Sequence, residues 1–129
     1  NILSTRAFTV SMATVALLAA CDYVGIVSGN NVPDKVARAG FTTVPSQHVH
    51  APIIEQLPMT LECRLVSYDA ESNYMIGDII NVSADESILT NGKIDIAKLQ
   101  PITYDPINHQ YRVLGEVVGK AFADGNALK

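Results

Sequence analysis

Met59-Thr-Leu-Glu-Cys-Arg-Leu-Val-Ser-Tyr68, then Asp69-Ala-Glu-Ser-Asn73, then Tyr74-Met-Ile-Gly-Asp-Ile-Ile-Asn-Val-Ser83 is the stretch whose reading decides the fold. Its first part alternates, with Met59, Leu61, Cys63 and Leu65 on one side and Thr60, Glu62 and Arg64 on the other. That period of two is the mark of a half-buried strand. The middle part is a polar turn, and the last part reads as a second, more apolar strand. The two form a long antiparallel hairpin over Met59 to Ala84, with Leu61, Cys63, Leu65, Ile76 and Ile80 expected in the core. A lone hairpin is marginal in water, so further strands must complete the sheet. Gly77, inside the second strand, marks a bulge, a bend, or the close approach of a ligand or another backbone, and a bend is the simplest of these.

Working outward, Ala7 to Met12 alternates and reads as a strand with Phe8, Val10 and Met12 on one face. Asn1 to Ser4 reads as the tail of a helix. Thr14 is a suitable N-cap for a strongly apolar helix from Val15 to about Val24, ended by Gly25. Because that helix is apolar almost all round, it is expected to be deeply buried or at a subunit contact. Pro33 at a first helical position opens Pro33 to Ala39, closed by Gly40. Phe41 to His50 reads as an extended loop, and Pro58 separates Ala51 to Glu55 from the long hairpin. Later come a tight turn at Asn91-Gly92 and a short helix capped by Asp95. Two short strands follow, Ile102 to Tyr104 and Gln110 to Leu114, with a closing helix over Gly115 to Ala123. The count points to a single α+β domain, mainly antiparallel β, arranged as a barrel with covered edges.

Composition narrows the function. The 129 residues are 48% hydrophobic, enough for a core. Nine basic against 13 acidic residues give a net charge of −4 with no Lys/Arg block. Nucleic-acid binding through a basic footprint is thereby disfavoured, and aromatics at 6% with no Trp do not make a base-stacking surface. The apolar run Phe8 to Ala20 is too short and interrupted to span a bilayer. A lone Arg6 makes a poor start for a secretion signal, so neither a membrane nor an exported location is expected. The cysteines, Cys21 and Cys63, are simplest as free thiols in a reducing cytoplasm, although a pairing is conceivable.

Catalytic constellations are scarce. His48 and His50 lie two apart but have no third ligand near them in sequence, so solvated loop histidines are preferred over a metal site. Cys21 beside Asp22 has no partnered His, and burial explains it better than nucleophilic chemistry. Ser28-Gly29 falls short of a phosphate-loop fingerprint.

The chain taken whole says more than these parts. Cys21-Asp-Tyr-Val-Gly-Ile-Val-Ser-Gly29, followed by Asp34-Lys35, resembles the flavin reductase-like family. So do Phe41-Thr-Thr-Val-Pro-Ser46, Ala51-Pro-Ile-Ile54, Leu61-Glu-Cys-Arg-Leu-Val66, Ile76-Gly-Asp-Ile-Ile-Asn-Val82, Gly92-Lys-Ile-Asp95, Pro101-Ile-Thr-Tyr-Asp-Pro106 and Tyr111-Arg-Val-Leu-Gly115, in the family's order. The similarity covers essentially all of residues 1–129 and falls in the flavoredoxin-like branch. It implies the FMN-binding split barrel, incomplete at its N-terminus. Relatives carry further barrel strands and a Thr/Lys-bearing loop ahead of the position of Asn1, so this chain corresponds to the C-terminal two-thirds of the domain. It also implies FMN as cofactor, a nicotinamide dinucleotide as partner, a homodimer, and an oxidoreductase that passes electrons from nicotinamide through flavin. A non-catalytic flavin-binding electron carrier is the alternative, and a fragment without ligand a third reading. Carried over by position, Ser28, Gly29 and Lys35 are the candidate flavin contacts. Lys35 is suited to an anionic phosphate or reduced flavin, against the plainer reading of a solvated helix-start lysine. Tyr111 is a candidate for packing on the flavin ring or on a neighbouring subunit. No residue is assigned a catalytic or metal-binding role. Ser72 and Asn73 stand where many relatives have a His, so no histidine role carries over.

Overall fold

The computed structural model describes residues 1–129. Ile2–Thr5 forms a one-turn helix, α1, closed by Arg6 in the left-handed region at φ 57°. Strand β1 (Ala7–Ser11) follows, then a 3-10 turn (Val15–Leu17), helix α2 (Leu18–Ile26) and helix α3 (Lys35–Arg38). Strands β2 (Thr43–Pro45) and β3 (Pro52–Ile54) lead to the long pair β4 (Met59–Asp69) and β5 (Tyr74–Ala84). A 3-10 turn (Glu86–Ile88) precedes β6 (Leu89–Thr90), β7 (Lys93–Ile94) and α4 (Ile96–Leu99), and β8 (Ile102–Asp105) and β9 (Gln110–Val113) form the last hairpin.

The expected hairpin is the spine of the chain. β4 lies between β1 and β5 in a three-stranded antiparallel sheet, while β2–β3, β6–β7 and β8–β9 are separate hairpins. All pairing between named strands is antiparallel, as expected for a sheet built from hairpins. Turn chemistry holds the ends. Asp69 accepts from the Glu71 N–H (2.9 Å) and the Ser72 hydroxyl (2.9 Å), and Asn73 takes φ 60°. Such left-handed backbone suits Asn better than most residues. Asn91 and Gly92, at φ 53° and 74°, make the tight β6–β7 turn. Asp95 caps α4 by accepting from the Ala97 N–H at 3.0 Å.

Register explains Gly77. The β4–β5 ladder slips between Leu65 and Ser67, so a bulge sits beside the Leu65↔Gly77 pair. Phe8, paired with Cys63, reaches over β4, and a Cβ on Gly77 would lie 2.6 Å from its ring and 3.0 Å from the Arg64 carbonyl. Of the readings offered by the sequence, the bulge is found rather than a simple bend, and the group that comes closest is a side chain, not a ligand. The neighbour is an aromatic ring.

The core is small: Ala7, Phe41, Leu57, Cys63, Leu65, Ile88 and Leu99 are its buried apolar residues. Leu61 is half-buried. Ile76 and Ile80, expected inside, are 59% and 45% exposed. The reason is topological, since β5 has only β4 beside it and nothing in this chain covers its outer side. Helix α2 is likewise not deeply buried. It contains no buried residue: Leu18, Ala20, Cys21, Tyr23 and Val24 are half-buried and Ile26 is exposed, with α3 and the preceding 3-10 turn as its main neighbours.

Other boundaries moved for local reasons. Thr14 is buried and extended, bridged to Pro101, and makes no side-chain cap, so the α-helix begins only at Leu18. Its end is Ile26 rather than Gly25. Pro33 precedes α3 instead of opening it, while Gly40 ends the segment at φ 81° as expected. The loop assigned to Phe41 to His50 contains β2, paired with β3 through Thr43↔Ile54 and Pro45↔Pro52. Gly115 to Ala123 is not a helix; irregular chain runs to a 3-10 turn at Asp124–Leu128. Two glycines and few packing partners leave that segment without the buried stripe that stabilises a helix.

Candidate functional site

Three of the four residues singled out from the sequence gather at the α2–α3 connection. Ser28 starts the turn, its carbonyl accepting from the N–H groups of Asn31 (3.1 Å) and Val32 (2.9 Å). Its hydroxyl accepts from the Asn30 N–H at 3.2 Å, and Ser28 and Gly29 are both exposed. Lys35 folds back across this turn, so that a Cβ on Gly29 would lie 3.9 Å from its Cε. The Lys35 ammonium donates to the Val24 carbonyl (2.7 Å) and the Val27 carbonyl (2.9 Å). These are among the last carbonyls of α2, which no intrahelical N–H satisfies, and a cation there also suits the negative end of the helix dipole. Two of the three ammonium protons are thereby used.

Tyr111 stands on β9, far away in sequence, but α2 draws it in. Its hydroxyl donates to Asp22 Oδ1 at 2.5 Å, and its ring lies 5.8 Å from that of Tyr104 at 52°. The Asp22 carboxylate holds the phenol proton and raises the Tyr111 pKa, with burial and neighbouring negative groups adding to it. Helix α2 thus links Tyr111 in its middle to Ser28, Gly29 and Lys35 beyond its C-terminal end. Cys21, next to Asp22, is a free thiol pushed up by burial, against a smaller lowering from its bond to the Thr14 backbone. Cys63 is free, buried and raised for the same reason.

A polar centre that the sequence hid lies on the other side of the sheet. Glu62 was assigned to the open side of β4, yet it and Thr60 are each only 1% exposed. The β2–β3 hairpin and its connecting loop cover them. Glu62 accepts from the Ser46 hydroxyl (2.6 Å), the Ser83 hydroxyl (2.7 Å) and the Asn81 side-chain amide (2.5 Å). Burial pushes the Glu62 carboxyl up. The three hydrogen bonds and the attraction of nearby His48 outweigh that and leave it below its usual range. Ser46 in turn accepts from the N–H groups of His48 (2.9 Å) and Val49 (3.0 Å), so one carboxylate ties the loop to the sheet. Register alone could have flagged this cluster, because Asn81 pairs with Glu62 and Ser83 with Thr60 across the hairpin.

His48 and His50 remain on that loop, both exposed, and no group of three His, Cys, Asp or Glu side chains is assembled anywhere in the chain. The five main clefts in the surface have volumes of about 270 to 730 Å³, and Ser28, Gly29, Lys35 and Tyr111 line none of these. Ser28, Gly29 and Lys35 gather at the α2–α3 turn, while Tyr111 is held apart from them at Asp22. No helix is long and apolar enough to cross a membrane.

Comparison with known proteins bears on this arrangement. No curated protein matches the chain. Among solved structures, flavoredoxin of Desulfovibrio vulgaris (Miyazaki F) superposes with a TM-score of 0.89 at 39% identity, over 96% of this chain and 67% of that one. Flavoredoxin from Methanosarcina acetivorans gives 0.89 at 28% identity, over 99% of this chain and 68% of its own. An FMN-binding domain of a flavin reductases-like enzyme from Shewanella baltica OS155 shares the fold, with a TM-score of 0.79 at 20% identity over 92% of this chain and 65% of that one. The chain therefore spans about two thirds of the length of these structures, and the antiparallel hairpins described above are part of a split barrel. The flavin reductase like domain matches residues 1–115. With that match and the flavoredoxin superposition together, the chain belongs to the flavin reductase-like family, in its flavoredoxin branch.

Proposed function

We propose that this chain is the C-terminal two-thirds of an FMN-dependent oxidoreductase domain, in which electrons pass from a nicotinamide dinucleotide through bound flavin to an acceptor. The observation that carries the reading is the 39% identity to a flavoredoxin over 96% of the chain. The choice of FMN follows the family resemblance, and the Shewanella baltica relative of the same fold is described as FMN-binding. When bound, FMN supplies the chemistry, accepting a hydride and releasing electrons, which agrees with a chain in which no acid–base pair stands out.

The α2–α3 turn fits one edge of such a cofactor rather than enclosing it. Ser28 offers an exposed hydroxyl, Gly29 leaves room for close approach, and Lys35 keeps one free ammonium proton for an anionic group. Tyr111 offers a ring face whose direction is fixed by Asp22. Exposed Val10, Ile79 and Val82 share one side of the sheet, and α2 adds further apolar surface. Both support a homodimer, whose interface would have to bury roughly 1,000 Å² or more to be specific. Two free thiols fit a reducing cytoplasm.

The relationship to flavoredoxins favours one alternative, a flavin-binding electron carrier that does not itself oxidise nicotinamide. An absorption spectrum of the purified protein reads the first claim, and flavin bands are expected. Oxidation of NADH or NADPH in the presence of FMN then separates enzyme from carrier. A colourless protein that takes up no FMN refutes both.

A further inference from the structure

Residues 115–129 form an arm whose apolar side chains lie clear of their own chain. Val117, Val118, Phe122 and Leu128 are 92%, 97%, 105% and 93% exposed. Yet the arm is shaped. The Lys120 N–H donates to Asp124 Oδ2 (2.8 Å), and the Lys120 carbonyl accepts from the N–H groups of Ala123 (3.3 Å) and Asp124 (3.1 Å). Phe122 stands at the tip of this small loop at φ 60°. Such backbone is strained for a bulky residue and persists only where its surroundings hold it. Gly119 belongs to the same loop, since a Cβ there would lie 2.8 Å from Asp124 Oδ2.

A second apolar surface is also open. Val10, Leu61 and Val82 stand abreast across β1, β4 and β5, and in the next row so do Phe8, Cys63 and Ile79. No charged residue interrupts the two rows, and Val10, Val82 and Ile79 are 41%, 44% and 60% exposed. The arm is too exposed to touch this stripe within one copy. Two apolar patches that do not meet inside one chain can meet between two chains, because a two-fold axis gives each arm the other copy's stripe at once. The areas agree. Four such side chains hide roughly 100 Å² each, so two arms and the surface beneath them remove on the order of 1,600 Å², the size of a standard specific interface. The arm carries two acidic residues, Glu116 and Asp124, and two basic ones, Lys120 and Lys129, so its charge favours neither an acidic nor a basic partner.

We infer that residues 115–129 are a clasp exchanged between two copies of this chain, the Phe122 ring of each seated on the Val10–Leu61–Val82 row of the other. The inference rests on the homodimer reading and names the segment that holds the copies together. It also gives the strained loop a role. A ring already fixed in place loses little freedom on contact, and large apolar anchors of this kind carry most of the energy of an interface.

The test is sedimentation equilibrium of the whole chain, with Phe122→Ser beside the parent. The ring is fully exposed in one copy, so the substitution leaves the fold intact, which circular dichroism verifies. Each dimer carries the change twice, and a loss of about tenfold per ring raises the dimer dissociation constant roughly a hundredfold. Asp124→Ala opens the loop without touching the ring and should raise it by about tenfold or more. Ile107→Ser removes another highly exposed apolar side chain, on the β8–β9 turn, and should change nothing. A benzophenone in place of the Phe122 ring locates the contact. Irradiating mixed heavy- and light-isotope chains should join it to β1, β4 or β5 of the other copy. A Phe122→Ser chain that associates as tightly as the parent overturns the clasp and leaves the homodimer standing. A parent chain that stays monomeric at millimolar concentration overturns both and leaves the arm to a different protein. Crosslinks confined to one copy, or to a surface away from the stripe, overturn the clasp as well.

Discussion

Replacing Glu62 by Gln tests what holds the β2–β3 loop to the sheet. The carboxylate is 1% exposed and accepts three hydrogen bonds, two on Oε2 from Asn81 and Ser83 and one on Oε1 from Ser46. A glutamine keeps the shape, and its carbonyl can still serve Asn81 and Ser83. Its amide nitrogen then faces the Ser46 hydroxyl, which already accepts from the N–H groups of both His48 and Val49. A donor would meet a spent acceptor, and the charge assistance of the other two bonds would vanish. Losses of this kind sum to about 2–4 kcal/mol. For a chain of this size that corresponds to a fall in Tm of roughly 10 °C.

The pH dependence gives a second readout. The folded-state pKa of Glu62 lies below its ordinary value, so the carboxylate contributes stability above the unfolded-state pKa of about 4.3 and loses it as pH falls through the folded-state value. Thermal unfolding followed by circular dichroism should show the full gap between the two proteins at pH 7, narrowing below about pH 4. A gap under about 3 °C at pH 7, less than one kcal/mol, would refute the network's role. So would a gap that widens in acid.

Further substitutions read other parts of the chain. Gly77→Ala drives a methyl into the Phe8 ring and should cost about 1–2 kcal/mol net of the usual gain from replacing glycine in a strand, and an unchanged denaturation midpoint would show that the ring moves aside freely. Lys35→Ala should remove two bonds to the α2 carbonyls at a cost of about 1 kcal/mol, and in the full-length protein weaken FMN by about tenfold to a hundredfold. FMN titration beside thermal melts separates the two effects, and equal FMN affinity would remove Lys35 from the cofactor site. Asp22→Asn takes away the charge that holds the Tyr111 proton, so phenolate absorbance should show one tyrosine ionising at lower pH than in the parent protein. A superimposable titration curve would mean that the Asp22–Tyr111 bond does not persist in solution.

What residues 1–129 determine by themselves is local. The alternation of β4, the Asp69–Asn73 and Asn91–Gly92 turns, the Asp95 cap and the Gly40 terminus each depend on a few neighbouring residues, and each appears where the chain places it. The motifs from Cys21 to Gly115, taken in order, pointed by resemblance to the flavin reductase-like family. Tertiary structure decided what covers each element. Alternation separates the two sides of β4 but does not say which side meets solvent; the β2–β3 hairpin closes over the polar side and buries Glu62 and Thr60. It likewise left Ile76 and Ile80 exposed, because β5 has only β4 beside it, and left α2 half-buried against α3 and the preceding 3-10 turn rather than deep in a core. Lys35 turned toward the end of α2, and Tyr111 crossed 89 residues of sequence to reach Asp22. Periodicity records the spacing of residues along one element, whereas burial, ion pairing and the gathering of Ser46, Glu62, Asn81 and Ser83 depend on which distant segments meet, and that is settled only when the chain folds.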